Sequence, residues 1–209
     1  MSRTVLVWID LETTGLDTKN GRILEYAMVL TDTELNELGA VECIIPQSTA
    51  EARDLMDDYV TDMHEGNGLL EALEKVEREL PVPAYGDSVK VADDILTEKL
   101  AKLPGEGNTF TIAGSTVGFD KSFIKKDMPK LFRALHYRQL DVSSYKVGFP
   151  TVFPPDTSDA HRAMPDIRAS IEIHRKMCEI VEHGHSHIKT CDDMFTSQKK
   201  PTFDEHDCC

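Results

Sequence analysis

Two acidic residues near the N-terminus are the first whose types and spacing suggest chemistry. Asp10 and Glu12 follow an apolar run at residues 5–9 that has the pattern of a buried strand. Side chains two positions apart in a strand point to the same side of the sheet, so these carboxylates are expected to lie together. Two carboxylates at one site repel each other unless a cation lies between them, and hard oxygen ligands suit Mg²⁺ or Mn²⁺. The alternative interpretation is a polar strand end that faces water.

Two aspartates later in the chain occupy positions from which they can join this pair. Asp120 lies in the opening turn of a predicted helix, directly after a short apolar strand, and Asp166 begins the last long helix. An acid in the first turn of a helix also gains from the helix dipole, which by itself explains either aspartate. His161 stands five residues before Asp166, and a loop histidine can accept a proton near neutral pH without binding metal. The combination is more specific than any one of these residues.

The elements that must position these residues follow from hydrophobic spacing. Strand-like runs at residues 5–10, 23–32 and 39–46, separated by turn-rich segments, predict an antiparallel meander. Helical spacing and strand patterns then alternate along the rest of the chain. We expect two helices within residues 50–80, a helix from Asp87 or Ser88 to Leu103, a strand at 109–113, a helix at 117–126, a strand at 138–142 and a helix from Met164 to about Glu182. This order predicts one α/β domain, a mixed sheet flanked by helices.

Irregular segments border the last helix. Residues 148–159 contain three prolines and predict a loop. Residues 184–209 are polar and show no periodic apolar face, so they predict a mobile tail. The domain is therefore expected to span residues 1–183. Within the helix ending at Leu103, Val91, Ile95 and Leu100 form part of the expected buried stripe.

The charge balance limits the kind of partner this chain can hold. Its 209 residues include 37 acidic and 23 basic ones, for a formal net charge of -14. A basic face that would neutralise the phosphates of long DNA or RNA is not indicated, so any nucleic acid it handles should be short. No run approaches the ~18 apolar residues of a membrane span, and no membrane partner is expected. Five cysteines without a C-x-x-C pair indicate a reducing, cytoplasmic compartment.

The acids and the histidine match the pattern of the DnaQ-like exonucleases of the DEDDh type, which combine four acidic ligands with a histidine. Further stretches resemble oligoribonuclease. They read WIDLETTGL at residues 8–16, LMDDY at 55–59, HEGNGL at 64–69, HYRQLDVS at 136–143 and HRAMPDIR at 161–168. The resemblance covers roughly residues 4–182 and implies a ribonuclease H-like fold, in agreement with the predicted element order.

The resemblance also implies an activity and a set of roles. Family members remove nucleotides from the 3′ end of very short RNAs, with a strong preference for dinucleotides, using two metal ions, here Mg²⁺ or Mn²⁺. Carried onto this sequence, the metal ligands are Asp10, Glu12, Asp120 and Asp166, and the general base is His161. The residues implied to pack on the bases are Leu16 and Tyr59. Those implied to enclose the 5′ phosphate are Thr116, Arg138, Ser143 and His64, with Tyr137 reaching over from the second subunit of a homodimer. The family has mitochondrial as well as cytoplasmic members.

Some positions depart from the family pattern and leave alternatives open. Thr13 replaces a methionine, Tyr59 a tryptophan, Asn67 a serine, and the pair Ser115 and Thr116 an Asn-Ser pair. Tyrosine still stacks and threonine still donates a hydrogen bond, but these positions shape the pocket that sets substrate length. One alternative function is an exonuclease that trims 3′ ends of longer RNA or DNA. Another is a binder of small nucleotides without catalysis.

Overall fold

The computed structural model describes residues 3–154 and 161–196, with side chains described as far as residue 184. The strands are β1 (Thr4–Thr13), β2 (Ile23–Thr31), β3 (Glu37–Ile44), β4 (Thr109–Gly114) and β5 (Leu135–Asp141). The helices are α1 (Thr49–Arg53), α2 (Asp58–Gly66), α3 (Leu69–Glu79), α4 (Tyr85–Ala101), α5 (Gly118–Asp127), α6 (Pro129–Ala134), α7 (Ser143–Gly148) and α8 (Ala163–Thr196). Among the described residues, no helix combines the length and apolar character needed to cross a bilayer.

The strands form one mixed sheet in the order β3-β2-β1-β4-β5. The first three strands pair antiparallel, which confirms the predicted meander, while β4 pairs parallel with both β1 and β5. The central strand β1 is buried on both faces. Val5, Val7 and Ile9 pack into one hydrophobic cluster, and Leu6 and Trp8 pack into another. This two-sided burial is the reason that the strand is a continuous apolar run.

Helices cover both faces of the sheet, as the α/β prediction requires. On one face, α4 and α5 contribute Val89, Leu96 and Phe123 to the larger core cluster. On the other face, the first turns of α8 contribute Ile167 and Ile171. Asp10 and Glu12 have the same alternation as Leu6 and Trp8, so they point toward the face on which α8 begins. The fold therefore brings the start of α8 to the end of β1.

Helix α4 differs from its prediction in start and in orientation. It begins at Tyr85, and Ser88 does not cap it but donates a hydrogen bond to the carbonyl of Pro46. The predicted stripe is wrong at Val91 and Ile95, which are 58% and 40% exposed, while Leu100 is buried as predicted. The other buried apolar positions are those of Val89, Ala92 and Leu96. The buried face also carries Asp93, whose carboxylate accepts the backbone N–H groups of Lys130 and Leu131 at the start of α6. An acid on the inner face obscures the apolar stripe in the sequence.

Other boundaries differ in smaller ways. Residues 50–80 form three helices rather than two, and α6 and α7 are short helices without a clear apolar period. The described residues up to Ile173 belong to one compact unit built around the sheet, and the described residues from His174 to Thr196 belong to a second unit. Helix α8 continues to Thr196, past its expected end, because residues 183–196 contain no proline and only one glycine. The division into residues 1–183 and a tail stays a prediction, and residues 155–160 and 197–209 lie outside the described residues.

Candidate active site

Three carboxylates meet where β1 ends and α8 begins. Asp10 and Glu12 project from the same side of β1, as their spacing predicts, and Asp166 lies in the first turn of α8. One oxygen atom from each of the three can be chosen so that all lie within 4.8 Å of one another. Such a spacing allows the three groups to bind one cation together.

Asp120 joins this cluster through the backbone of β1. It is buried in the first turn of α5, and its Oδ1 accepts the N–H of Leu11 at 3.0 Å. This hydrogen bond places the carboxylate beside the peptide that separates Asp10 from Glu12. A cavity of about 290 Å³ is lined by all five predicted catalytic residues, namely Asp10, Glu12, Asp120, His161 and Asp166.

The electrostatics of the cluster favour binding of positive charge. Burial, followed by the charges of Asp166 and Glu25, raises the pKa of Asp10 to about 7. Burial and then the charge of Asp10 raise the pKa of Glu12 to about 9. Burial and the charge of Asp10 also hold the pKa of Asp120 well above its usual value. A divalent cation among these oxygens would offset both the burial and the repulsion, so the donor set fits a metal ion such as Mg²⁺ or Mn²⁺.

A larger cleft of about 620 Å³ adjoins the acidic cluster and shares Glu12 and His161 with it. Its lining includes Leu16, from the turn after β1, and Tyr59, from the first turn of α2. These side chains are 85% and 72% exposed, which is unusual for large hydrophobic groups that line one cleft. The cleft therefore offers apolar surfaces beside the acids, where flat, partly apolar groups can pack.

Thr116 and Ser143, two of the residues predicted to enclose phosphate, are linked by a residue that sequence reasoning missed. Asp141 ends β5, and its Oδ1 accepts the N–H of Thr116 at 2.9 Å. The same oxygen accepts the N–H of Ser143 at 3.0 Å and its hydroxyl at 2.6 Å. Thr116 also has a left-handed backbone, with φ 55°. Asp141 stands inside the LDVS stretch on which the family resemblance rests, and its position at the end of a strand was the available signal.

The other three predicted substrate residues do not line the two cavities described above. Tyr137 and Arg138 are on β5 at the edge of the sheet, where Tyr137 is 74% exposed and the Arg138 guanidinium lies over its ring. His64, on α2, is completely buried, and its Nε2 lies 2.9 Å from the carbonyl oxygen of Thr13. Because that oxygen only accepts, Nε2 carries the proton, and burial lowers the pKa of the ring. Its predicted contact with phosphate stays a prediction.

Comparisons of the sequence with known proteins identify a family. The exonuclease family model matches residues 7–174. An oligoribonuclease of Corynebacterium glutamicum is 38% identical over 197 residues, which are 90% of this chain and 86% of that protein. An oligoribonuclease of Leifsonia xyli is 37% identical and covers 86% of each chain. The chain belongs to the oligoribonuclease family. Its membership in the wider exonuclease family agrees with the four acids and one histidine that line the smaller cavity.

Solved structures of exonuclease I share the fold of this oligoribonuclease family member. The enzyme from Methylocaldum szegediense superposes with a TM-score of 0.55 at 17% identity, covering 84% of this chain and 40% of that one. The zinc-bound Escherichia coli enzyme in complex with single-stranded DNA gives a TM-score of 0.61 at 14% identity, covering 90% and 43%. The chain thus spans about two fifths of exonuclease I. The shared sheet confirms the ribonuclease H-like α/β prediction.

Three residues of this oligoribonuclease family member that surround His161 were also missed. Glu25 accepts two hydrogen bonds from Arg162, at 3.0 and 2.6 Å, and one from the N–H of Ala163 at 3.1 Å. Asn67 donates from Nδ2 to the carbonyl of His161 at 2.6 Å. The sequence does carry a signal for Glu25, because it is the single charged residue of a strand that is buried throughout.

Proposed function

We propose that this protein is a two-metal-dependent 3′-to-5′ exoribonuclease that degrades short oligoribonucleotides, especially dinucleotides, to mononucleotides. The observation that carries the proposal is the clustering of Asp10, Glu12 and Asp166, with oxygens within 4.8 Å, in a chain 38% identical to an oligoribonuclease. The preference for very short RNA is supported by the net charge of -14. A few local donors and a metal site can bind a dinucleotide without the basic groove that a long chain needs.

The metal would be held by the four acids at the end of β1 and the starts of α5 and α8. Two divalent ions held there would supply the activation of the attacking water and the stabilisation of the leaving oxygen of a phosphodiester. Asp120 is oriented for this task because one of its oxygens already accepts the N–H of Leu11. The pKa values of Asp10 and Glu12 are raised, so these acids resist ionising together. A bound cation would stabilise their ionised forms and allow all the acids to be charged.

His161 is proposed to accept the proton of the attacking water at a ring nitrogen. It lines both the acidic cavity and the adjoining cleft, so it lies between the metal ligands and the space proposed for the substrate. As the water oxygen bonds to phosphorus, the bond to the 3′ oxygen of the neighbouring nucleotide breaks, that oxygen takes up a proton from solvent, and a 5′-mononucleotide is released. Leu16 and Tyr59 pack on the bases and hold the scissile phosphate at the acids.

The 5′ end of a dinucleotide is proposed to be enclosed by Thr116, Ser143, Arg138 and His64. Support for Thr116 and Ser143 comes from Asp141, because the backbone N–H groups of both residues donate to its Oδ1 and therefore lie close together. Support for a homodimer comes from the exposed edge strand β5, where Tyr137 presents its ring to solvent and can reach a second subunit. We propose a cytoplasmic location, with a mitochondrial one as the alternative.

A second candidate function is the trimming of 3′ ends of longer RNA or DNA. The observation in its favour is the fold shared with exonuclease I, which was solved with bound oligonucleotides. A binder without catalysis is disfavoured because the four acids and the histidine are all present in one cavity.

Substrate length separates these functions. The protein should be incubated with 5′-labelled RNAs of two to ten nucleotides in Mn²⁺ or Mg²⁺, and in EDTA, and initial rates compared by length. We expect a steep preference for the dinucleotide that chelation abolishes. Equal or faster trimming of longer chains would assign the broader exonuclease function, and binding of the dinucleotide without turnover would assign the non-catalytic one.

A further inference from the structure

The backbone around His161 is fixed by contacts on consecutive residues. The carbonyl of His161 accepts the Asn67 side chain, the Arg162 side chain pairs with Glu25, and the N–H of Ala163 also binds Glu25. His161 itself has φ 20°, a backbone conformation that L residues seldom adopt. A strained residue keeps such a conformation when its neighbours over-determine it.

Glu25 provides the first of these restraints from inside the sheet. It lies on β2 directly opposite Glu12 of β1, so Glu25 and a proposed metal ligand form a cross-strand pair. Its two oxygens are both engaged by Arg162, and Oε2 also accepts the N–H of Ala163. Glu25 is buried, whereas its partner Arg162 is 33% exposed. An ion pair often no more than offsets the cost of burying a carboxylate, so the presence of Glu25 in a strand that is buried throughout points to a role in geometry.

Asn67 provides the second restraint from the helical side of the cleft. Its Nδ2 donates to the carbonyl of His161 at 2.6 Å, while its Oδ1 accepts the N–H of Leu69 at 2.9 Å, at the start of α3. Both ends of the amide are therefore used, which fixes the orientation of the side chain. His161 is thus connected to β2 through its neighbour and to the α2–α3 junction through its own carbonyl.

We propose that Glu25, Arg162 and Asn67 are positioning residues that hold the His161 imidazole at the acidic cluster. The inference rests on the proposed role of His161 as the general base. A base must lie within hydrogen-bond reach of the water it deprotonates, and a displacement of about 1 Å can lower a rate about 100-fold. Loss of a restraint should therefore reduce kcat, while metal and dinucleotide still bind because their proposed contacts are on other residues.

The first test replaces Glu25 with glutamine, which keeps the size but removes the charge that pairs with Arg162. The matched control is Glu37→Gln, since Glu37 on β3 forms the corresponding ion pair with Arg168 farther along α8. We expect E25Q to lower kcat on a dinucleotide about 10- to 100-fold, with KM and Mn²⁺ affinity changed less than about threefold. E37Q should leave kcat unchanged.

The second test asks whether the effect passes through His161. H161A alone should lower kcat about 100-fold or more. If Glu25 acts by positioning this ring, E25Q added to H161A should change kcat less than about twofold, because the group being positioned is gone. A merely structural role would lower kcat by the same factor in both backgrounds.

Asn67→Asp is a conservative variant, because it keeps the size and shape of a half-buried side chain. Aspartate still accepts the N–H of Leu69 but has no N–H to donate to the carbonyl of His161. We expect kcat to fall about 10-fold in wild type and to be unaffected in the H161A background.

The outcomes separate this inference from the proposed function. Wild-type turnover by H161A would overturn the proposed mechanism. Loss of activity in H161A, with E25Q and N67D both behaving like E37Q, would overturn the positioning role alone. Loss of Mn²⁺ binding in E25Q would also overturn it, since Glu25 would then act at the metal rather than on the histidine.

Discussion

Asp141 Oδ1 accepts the backbone N–H of Thr116 at 2.9 Å and thereby joins the loop after β4 to the end of β5. The same oxygen binds the N–H and hydroxyl of Ser143, so one carboxylate organises two segments that carry proposed phosphate contacts. An acid in a phosphate pocket is tolerable when its charge is already satisfied by donors. Asp141 would thus act on the proposed phosphate pocket by holding Thr116 and Ser143 in place.

Replacing Asp141 should alter substrate length preference more than chemistry. Asp141→Ala leaves three donors without their partner, and we expect it to destabilise the fold by about 1–3 kcal/mol. KM for a dinucleotide should rise about 10-fold, while the rate on a ten-nucleotide RNA should change less. Asp141→Asn, whose amide oxygen still accepts, should retain most of the preference. Steady-state kinetics on the two lengths measure this, and an equal loss on both would contradict it.

Tyr59 should contribute to affinity by stacking. Its ring is largely exposed in the cleft, and a base packed on an aromatic ring contributes about 1–3 kcal/mol. Tyr59→Ala should therefore weaken dinucleotide binding about 5- to 150-fold, measured with the H161A protein so that turnover is slow during the measurement. Tyr59→Trp should bind at least as tightly as wild type. An unchanged affinity in the alanine variant would remove Tyr59 from the binding site.

The turn after β1 should tolerate no side chain at Gly21. A Cβ there would lie 2.6 Å from the carbonyl oxygen of Asp17, which already accepts the N–H of Gly21 at 2.8 Å. Gly21→Ala should destabilise the protein by about 1–3 kcal/mol, because the obstacle is backbone and the turn must move. Gly39→Ala is the matched control, since a Cβ at that strand position meets no atom within 4 Å. Denaturant unfolding of both variants measures the difference in stability. Equal midpoints would show that the turn can shift to accommodate the methyl group without loss of stability.

The fold was predictable where one physical requirement dominated. A strand that is buried on both faces must be apolar throughout, so the apolar run at residues 5–9 predicted the position of β1. The acids Asp10 and Glu12 at the end of that run predicted where the acidic cluster lies. Helix α4 was predicted, but its buried face was wrong at Val91 and Ile95 because the inner face also carries a buried acid, Asp93. Its burial depends on the N-terminus of α6, which is distant in sequence.

The sequence predicted which acids lie together, but not the residues that surround them. Asp10, Glu12, Asp120 and Asp166 are brought together by strand alternation and helix starts, both of which are local patterns. Glu25 and Asn67 act through hydrogen bonds to residues 137 and 94 positions away, and such partners have no periodic signal. The resemblance implied a phosphate contact for His64, but no pattern in the sequence indicated its complete burial or the contact of its Nε2 with the carbonyl oxygen of Thr13.

The acidic cluster predicts how stability depends on pH and metal. In the metal-free fold the pKa values of Asp10 and Glu12 are raised to about 7 and about 9, from ordinary values of 3.8 and 4.5. Between the ordinary and raised values the folded chain holds more protons than the unfolded chain, so the free energy of unfolding falls as pH rises. Melting in EDTA should therefore show a lower Tm at about pH 8.5 than at about pH 6.

Added Mn²⁺ should reverse this trend. Because the metal binds the deprotonated acids, its stabilising effect should be larger at about pH 8.5 than at about pH 6, and binding should release protons. Titration calorimetry in two buffers of different ionisation enthalpy measures that release directly. The variant with both Asp10→Asn and Glu12→Gln is the control, since it should lose most of the pH dependence together with the response to Mn²⁺. A metal effect that is equal at both pH values would mean that these carboxyl groups are already ionised in the metal-free protein.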